Sequence, residues 1–175
     1  MSIRALLVPI LVVAALLATA LPAAARGPIA IGISDPRGSD LAVLQEHMDL
    51  MGGQKPGLWT LWSNWGSRGG KVSCIRGHGN CAFPLDMAKE LLKRGITPVI
   101  WWQPVDPARA SNPTFSSYKR IIYRKHDAYI RAWARDLKRA SLANAGRPIV
   151  VRFAHEATGD WFPWSIGRHG NTVKN

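Results

Sequence analysis

Four short, almost uninterrupted apolar runs divide the chain, at 29–33, 58–62, 96–102 and 149–153, and each but the last precedes a stretch with apolar residues every three or four positions. Unbroken runs of this length read as strands buried on both faces of a parallel sheet, and the three-to-four spacing reads as amphipathic helices packed against it. The first helix is expected over 39–51, capped by Ser39 or Asp40, with Leu41, Leu44, Met48 and Met51 inward and Gly52-Gly53 at its end. The second opens at Pro84, turns Leu85, Ala88, Leu91 and Leu92 inward and stops at Gly95. The third runs from an Asp127 cap to about Asn144, with Ile130, Trp133, Ala134 and Leu137 on its core side.

The connections sort by type. After the first strand comes a turn cluster, Ser34-Asp35-Pro36-Arg37-Gly38; after the second, a loop between Gly66 and Phe83 with five glycines; after the third, a loop over 105–125 with Pro107, Asn112, Pro113 and one helical turn at 118–123. Helix-to-strand connections are short. Long loops on the strand-to-helix side suit the rim of a cleft, and the repeating order predicts an α/β fold of the (β/α)8 TIM-barrel type. A complete barrel typically takes ~250 residues, so 175 residues accommodate about the first four β/α units. A doubly wound open sheet is the rival, but its Gly-rich phosphate loop is missing, since SDPRGSD holds one glycine.

Composition changes this picture at the N-terminus. Arg4, an apolar run over 5–17 and Ala23-Ala24-Ala25 form a secretory signal peptide pattern at 1–25. The run is shorter than the ~20 residues that span a bilayer, so no membrane span is expected after cleavage. The mature domain, 26–175, is expected outside the cytoplasm, secreted or periplasmic, with the formal charge of +12 falling to +11 as Arg4 is lost. In that compartment Cys74 and Cys81 read as a local disulfide that shapes the glycine-rich loop; the metal alternative, with His78 between them, lacks further ligands. No cofactor is called for. The basic charge includes Arg131, Arg135 and Arg139 on the wet face of the third helix, which argues against a nucleic-acid partner and favours an anionic polysaccharide or membrane surface for any basic patch.

Chemistry concentrates at the end of the fourth run, in PIVVRFAHEATGDWFPW, 148–164. An ionisable pair, His155-Glu156, stands at the strand exit, with Trp161 and Trp164 a few residues on. A carboxyl group beside flat aromatic faces is what glycosidic bond cleavage requires: a proton for the leaving oxygen and platforms for pyranose C–H bonds. The segment RFAHEATGDWFPW resembles the acid/base strand of glycoside hydrolase family 26, the β-mannanase-like enzymes, with Ala157-Thr158 in place of the usual Met-Asn. The resemblance implies that Glu156 is the general acid/base, that His155 helps orient the opposite carboxylate, and that Trp161 and Trp164 wall the sugar site. HDAYIRAWARDLKRA, 126–140, is similar to the helix that precedes that strand, and Gln103 occupies a place where the family sets a substrate-contacting polar residue. Trp65 and Trp102 are further candidate sugar contacts; they and Trp62 would serve equally as packing. Trp133 shares a helical face with Ile130 and Leu137 and reads as core.

Glutamates are scarce after residue 25: Glu46 and Glu90 lie on expected helices as surface residues, which leaves Glu156 as the strand-end carboxylate. A pair with Arg152 is not expected, because four strand residues span ~13 Å. Retaining glycosidases need a second carboxyl ~5–5.5 Å away. The resemblance puts that nucleophile on a seventh strand, so 26–175 is expected to hold half of an active site and to be inactive alone, with Asp35 and Asp106 as the only substitutes to weigh. The expected function is a secreted, retaining endo-β-mannanase or β-glycanase in complete form, acting on a β-linked polysaccharide or oligosaccharide; the alternative is a catalytically inactive carbohydrate-binding remnant. A half-barrel with open edges is also expected to self-associate.

Overall fold

The computed structural model describes residues 29–65, 67–68, 71–72, 82–105 and 117–174. The expected signal segment at 1–25, both cysteines and Asp106 lie outside those residues.

The element order is β1 (Gly32–Ile33), α1 (Leu41–Leu50), β2 (Leu58–Asn64), β3 (Ser67–Arg68), β4 (Lys71–Val72), α2 (Leu85–Lys93), β5 (Thr97–Gln103), α3 (Tyr118–Ile122), α4 (Asp127–Leu142) and β6 (Val150–Phe153). Four strands form one parallel sheet in the order β1-β2-β5-β6, while β3 and β4 make a small antiparallel pair in the glycine-rich loop. The fold is therefore α/β with a parallel sheet whose spatial order follows the sequence.

Alternation along the strands divides the sheet into two faces. Trp59, Leu61 and Ile100 point to the helix side and are fully buried against Val43, Leu44, Ala88, Leu91 and Leu92. Each of these large apolar side chains contributes about 1.5–3 kcal/mol on burial. Two indoles add polar ties: Trp59 Nε1 on the sheet donates to the carbonyl of Gly38, in the turn before α1, at 2.7 Å, and Trp133 Nε1 of α4 donates to Ser63 Oγ of β2 at 3.1 Å. The other face carries Trp62 and Trp101, paired in register, then Asn64 and Gln103, all half-buried.

The helices differ in detail from the sequence expectation. Asp40 does cap α1, accepting from Ala42 N at 2.9 Å, but Leu41 is 40% exposed and Val43 takes the inward place beside Leu44. In α2 Met87 joins Ala88, Leu91 and Leu92 inside, and Gly95, at φ +78°, turns the chain out of the helix. In α4 Asp127 is the first helical residue rather than the cap, and Ala134 faces solvent while Trp133 is buried. The fourth strand differs most. Every residue of β6 is exposed, because β6 pairs with β5 on one side and no described element covers the other. No helix among the described residues is long and apolar enough to cross a membrane.

Candidate functional site

The chain leaves β6 through two left-handed residues, Ala154 at φ +47° and Glu156 at φ +54°, which flank His155. Non-glycine residues in this region cost on the order of 1–3 kcal/mol each, so the surrounding contacts must hold them. Those contacts are visible. Ala154 N extends the ladder to the Trp102 carbonyl at 3.1 Å, Gly159 N closes a turn on the Glu156 carbonyl at 3.0 Å, and Ile166 N bonds the Ala157 carbonyl at 2.7 Å. Trp164, only 1% exposed, donates from Nε1 to the His155 carbonyl at 2.8 Å.

The double kink turns His155 into an aromatic cage on the helix-free face. Its ring lies 4.6 Å from Trp101, 4.7 Å from Phe162, 5.3 Å from Trp164 and 6.0 Å from Trp62. Phe162 and Trp164 stack at 4.4 Å, and the Arg152 guanidinium sits 4.5 Å over Trp101. Arg152 is thus engaged by an indole, and no ion pair joins it to Glu156 among the described residues. Burial pushes the His155 imidazolium pKa down; the Glu156 charge opposes that, and Arg152 adds to it. The ring is accordingly a neutral hydrogen-bonding group near pH 7.

Glu156 is exposed, and its Oε2 accepts from Trp161 Nε1 at 3.0 Å. Trp161 is itself 64% exposed. Gly159 makes room for it: a Cβ there would stand 2.6 Å from Trp161 Cζ2. A carboxylate and an open indole face therefore share one rim, above a neutral histidine.

The candidate residues divide by face. His155, Glu156, Trp161 and Trp164 come together, with Trp164 as a buried support and Trp161 as the open platform. Trp65 and Trp102 lie on the helix side. Trp65 is 1% exposed against His126 and Tyr129, and Trp102 stacks on Trp133 at 4.1 Å and donates to the Tyr129 hydroxyl at 3.1 Å. Those rings work as core, while Trp62 and Trp101 lie on the His155 side of the sheet. Adjacent strand residues point to opposite faces, so only one of Trp101 and Trp102 can reach the site; the sequence contained that signal but not the register that decides it.

Three buried polar atoms in this region have no partner among the described residues: His155 Nδ1, Trp62 Nε1 and Asn64 Oδ1. A buried group left unbonded costs about 1–3 kcal/mol, so each is a place where a hydroxyl or another segment of chain would be favourable. The second strand-end carboxylate, Asp35, is already committed: it accepts from the Arg37 guanidinium at 3.1 Å and from Arg37 N at 2.7 Å and lies 3.1 Å from His47 Nε2, and these bonds hold its pKa at about 2. No group of three metal-ligating side chains occurs among the described residues.

The fold and site thus define an α/β protein with a histidine–glutamate pair at the carboxyl end of a parallel strand. Over 43 residues the chain is 49% identical to Endoglucanase H of Acetivibrio thermocellus. That match covers 25% of this chain and 4% of the endoglucanase. No family model and no solved structure matches the chain.

Proposed function

We propose that these residues form the acid/base half of a glycoside hydrolase site, of the retaining endo-β-mannanase or β-glycanase type, in an exported protein. The observation that carries this reading is the Glu156 carboxyl, exposed at a strand end and bonded to the open indole of Trp161. The partial likeness to an endoglucanase and the resemblance of RFAHEATGDWFPW to the family 26 acid/base strand point the same way.

In this reading a pyranose ring lies on Trp161, and Glu156 protonates the glycosidic oxygen and later deprotonates the attacking water. His155, neutral and caged, offers Nδ1 to a substrate hydroxyl or to the opposing carboxylate; Trp62 Nε1 and Asn64 Oδ1 supply further partners for sugar hydroxyls. The nucleophile is a second carboxylate, carried by strands that continue the sheet past the open edge of β6 into a (β/α)8 barrel. Without it, protonation alone supplies ~10²–10⁴-fold, too little for detectable hydrolysis.

A carbohydrate-binding role without turnover is the second reading, favoured by the commitment of Asp35 to Arg37 and His47. Sugar release from mannan and mixed-linkage β-glucan, compared for Glu156 and Glu156→Gln in a barrel-completed protein, separates the two. Glu156-dependent release supports the hydrolase; saturable binding without release supports the remnant.

A further inference from the structure

We propose that the outer face of α4 is a docking stripe for an acidic polysaccharide, separate from the Glu156 site. The surrounding chain is basic: residues 119–147 contain nine Lys and Arg and two Asp, of which α4 itself holds Arg131, Arg135, Lys138 and Arg139 with Asp127 and Asp136, a net +2. Within α4, Arg131, Arg135 and Lys138 follow the four- and three-residue steps that put side chains on one face. All three are exposed, while Tyr129, Trp133 and Ala140 on the opposite side are buried.

The acids on α4 blunt only part of this charge. Asp127 lies 3.7 Å from Arg131 and Asp136 bonds Arg139 at 2.9 Å, but Arg135 and Lys138 have no acidic partner among the described residues. Arg131, Ala134, Arg135 and Lys138 line a shallow, open depression on the helix surface. The small Ala134 side chain keeps the floor low between long cationic ones. Seven residues of helix rise about 10 Å, so the stripe presents three cations in a line to an extended chain. Guanidinium groups bind carboxylates through paired N–H donors, which matches a polymer bearing one carboxylate per sugar.

The make-up of the face decides among polyanions. A membrane-seated helix sets several large apolar residues beside its basic ones, whereas Ala128, Ala132 and Ala134 are interleaved here and Leu142, at the end of the stripe, is the one exposed large apolar residue of α4 among the described residues. Single-stranded nucleic acid is held by stacking on several aromatic rings; Tyr129 and Trp133 of α4 are buried, and the exposed Tyr123 lies before the helix, off the stripe. The choice of a polysaccharide rests on the glycan-acting reading above; the stripe itself does not.

The test is affinity electrophoresis of the full chain in gels containing polygalacturonate, neutral galactomannan or no polymer, at low and physiological salt. Polygalacturonate should retard the wild type, salt should weaken the retardation, and R131Q/R135Q/K138Q should bind about tenfold more weakly. Glu156→Gln should bind as the wild type does, so loss of the catalytic reading leaves this outcome intact. Lys89→Gln/Lys93→Gln/Lys174→Gln removes equal charge elsewhere and should bind nearly normally. Equal weakening by both triple variants would reduce the effect to net charge and overturn the proposal. So would retention of R131Q/R135Q/K138Q equal to wild type, or stronger binding to anionic vesicles or single-stranded DNA than to polygalacturonate. Circular dichroism of each variant excludes unfolding as the cause.

Discussion

Trp161 Nε1 donates a hydrogen bond to Glu156 Oε2 at 3.0 Å, so the open indole and the strand-end carboxyl form one unit. Trp161→Ala removes both the platform and the bond. In a catalytically complete protein kcat/KM for oligosaccharides should fall at least tenfold, since aromatic burial is worth a few kcal/mol. Stability should change by less than about 1 kcal/mol, because the ring is 64% exposed. Unchanged glycan kinetics with a collapse in melting temperature would instead make Trp161 a packing residue.

Gly159 controls the same pair from a distance. A methyl group there would stand 2.6 Å from the Trp161 ring. Gly159→Ala should therefore swing the indole off Glu156 and reproduce the kinetic loss of Trp161→Ala while retaining the tryptophan. A red-shifted Trp161 emission, measured as the wild-type spectrum minus that of Trp161→Ala in each background, reports the displacement; identical difference spectra would show that the ring has not moved.

His126 makes the fold acid-sensitive. It is 2% exposed beneath Trp65, and burial, with a smaller push from Arg120, lowers its pKa to about 4. The unfolded chain protonates first, near 6.5. Stability is thus intact above about 6.5 and declines as pH falls through about 4, by up to about 3 kcal/mol. His155, also shifted downward, acts in the same direction. Chemical denaturation across this range should show a shallower decline in His126→Phe; identical slopes would remove His126 as the cause.

Much of this arrangement is legible in the sequence. The four apolar runs lie on the four parallel strands, Gly52-Gly53 and Gly95 stand where α1 and α2 end, and the His155-Glu156 pair leaves a strand end as read. Face and neighbour were not legible. Trp65 and Trp102 look the same in sequence as Trp62 and Trp101, yet register sends the first pair into the helical core and the second to the His155 side. Trp164 reads as a loop platform because nothing local shows its bond to the His155 carbonyl. The run at 149–153 reads as doubly buried, whereas β6 is an exposed edge, since composition reports what a strand suits and not what lies beside it.

That edge should drive self-association. Val150, Val151 and Phe153 are 44%, 38% and 40% exposed along a strand with an unpaired side among the described residues. Edge strands are blunted by charge. Light scattering of 26–175 should show dimers or larger species that Val151→Lys reduces; a monomer with a sharp thermal transition would contradict the open-edge account.

The most direct test of the central claim is product release from mannan and mixed-linkage β-glucan. It compares 26–175 alone with the same residues completed by a carboxylate-bearing second half of a mannanase-type barrel. The account predicts no turnover by 26–175, and cleavage with retained anomeric configuration by the completed protein. Glu156→Ala should then abolish polysaccharide cleavage but spare the first step on activated aryl glycosides, whose leaving groups need no proton. Glu156-dependent turnover by 26–175 alone would put the second carboxylate within these residues, with Asp35 and Asp106 the first to mutate. Polysaccharide cleavage that survives Glu156→Ala in the completed protein would contradict the assignment of Glu156 as the acid/base.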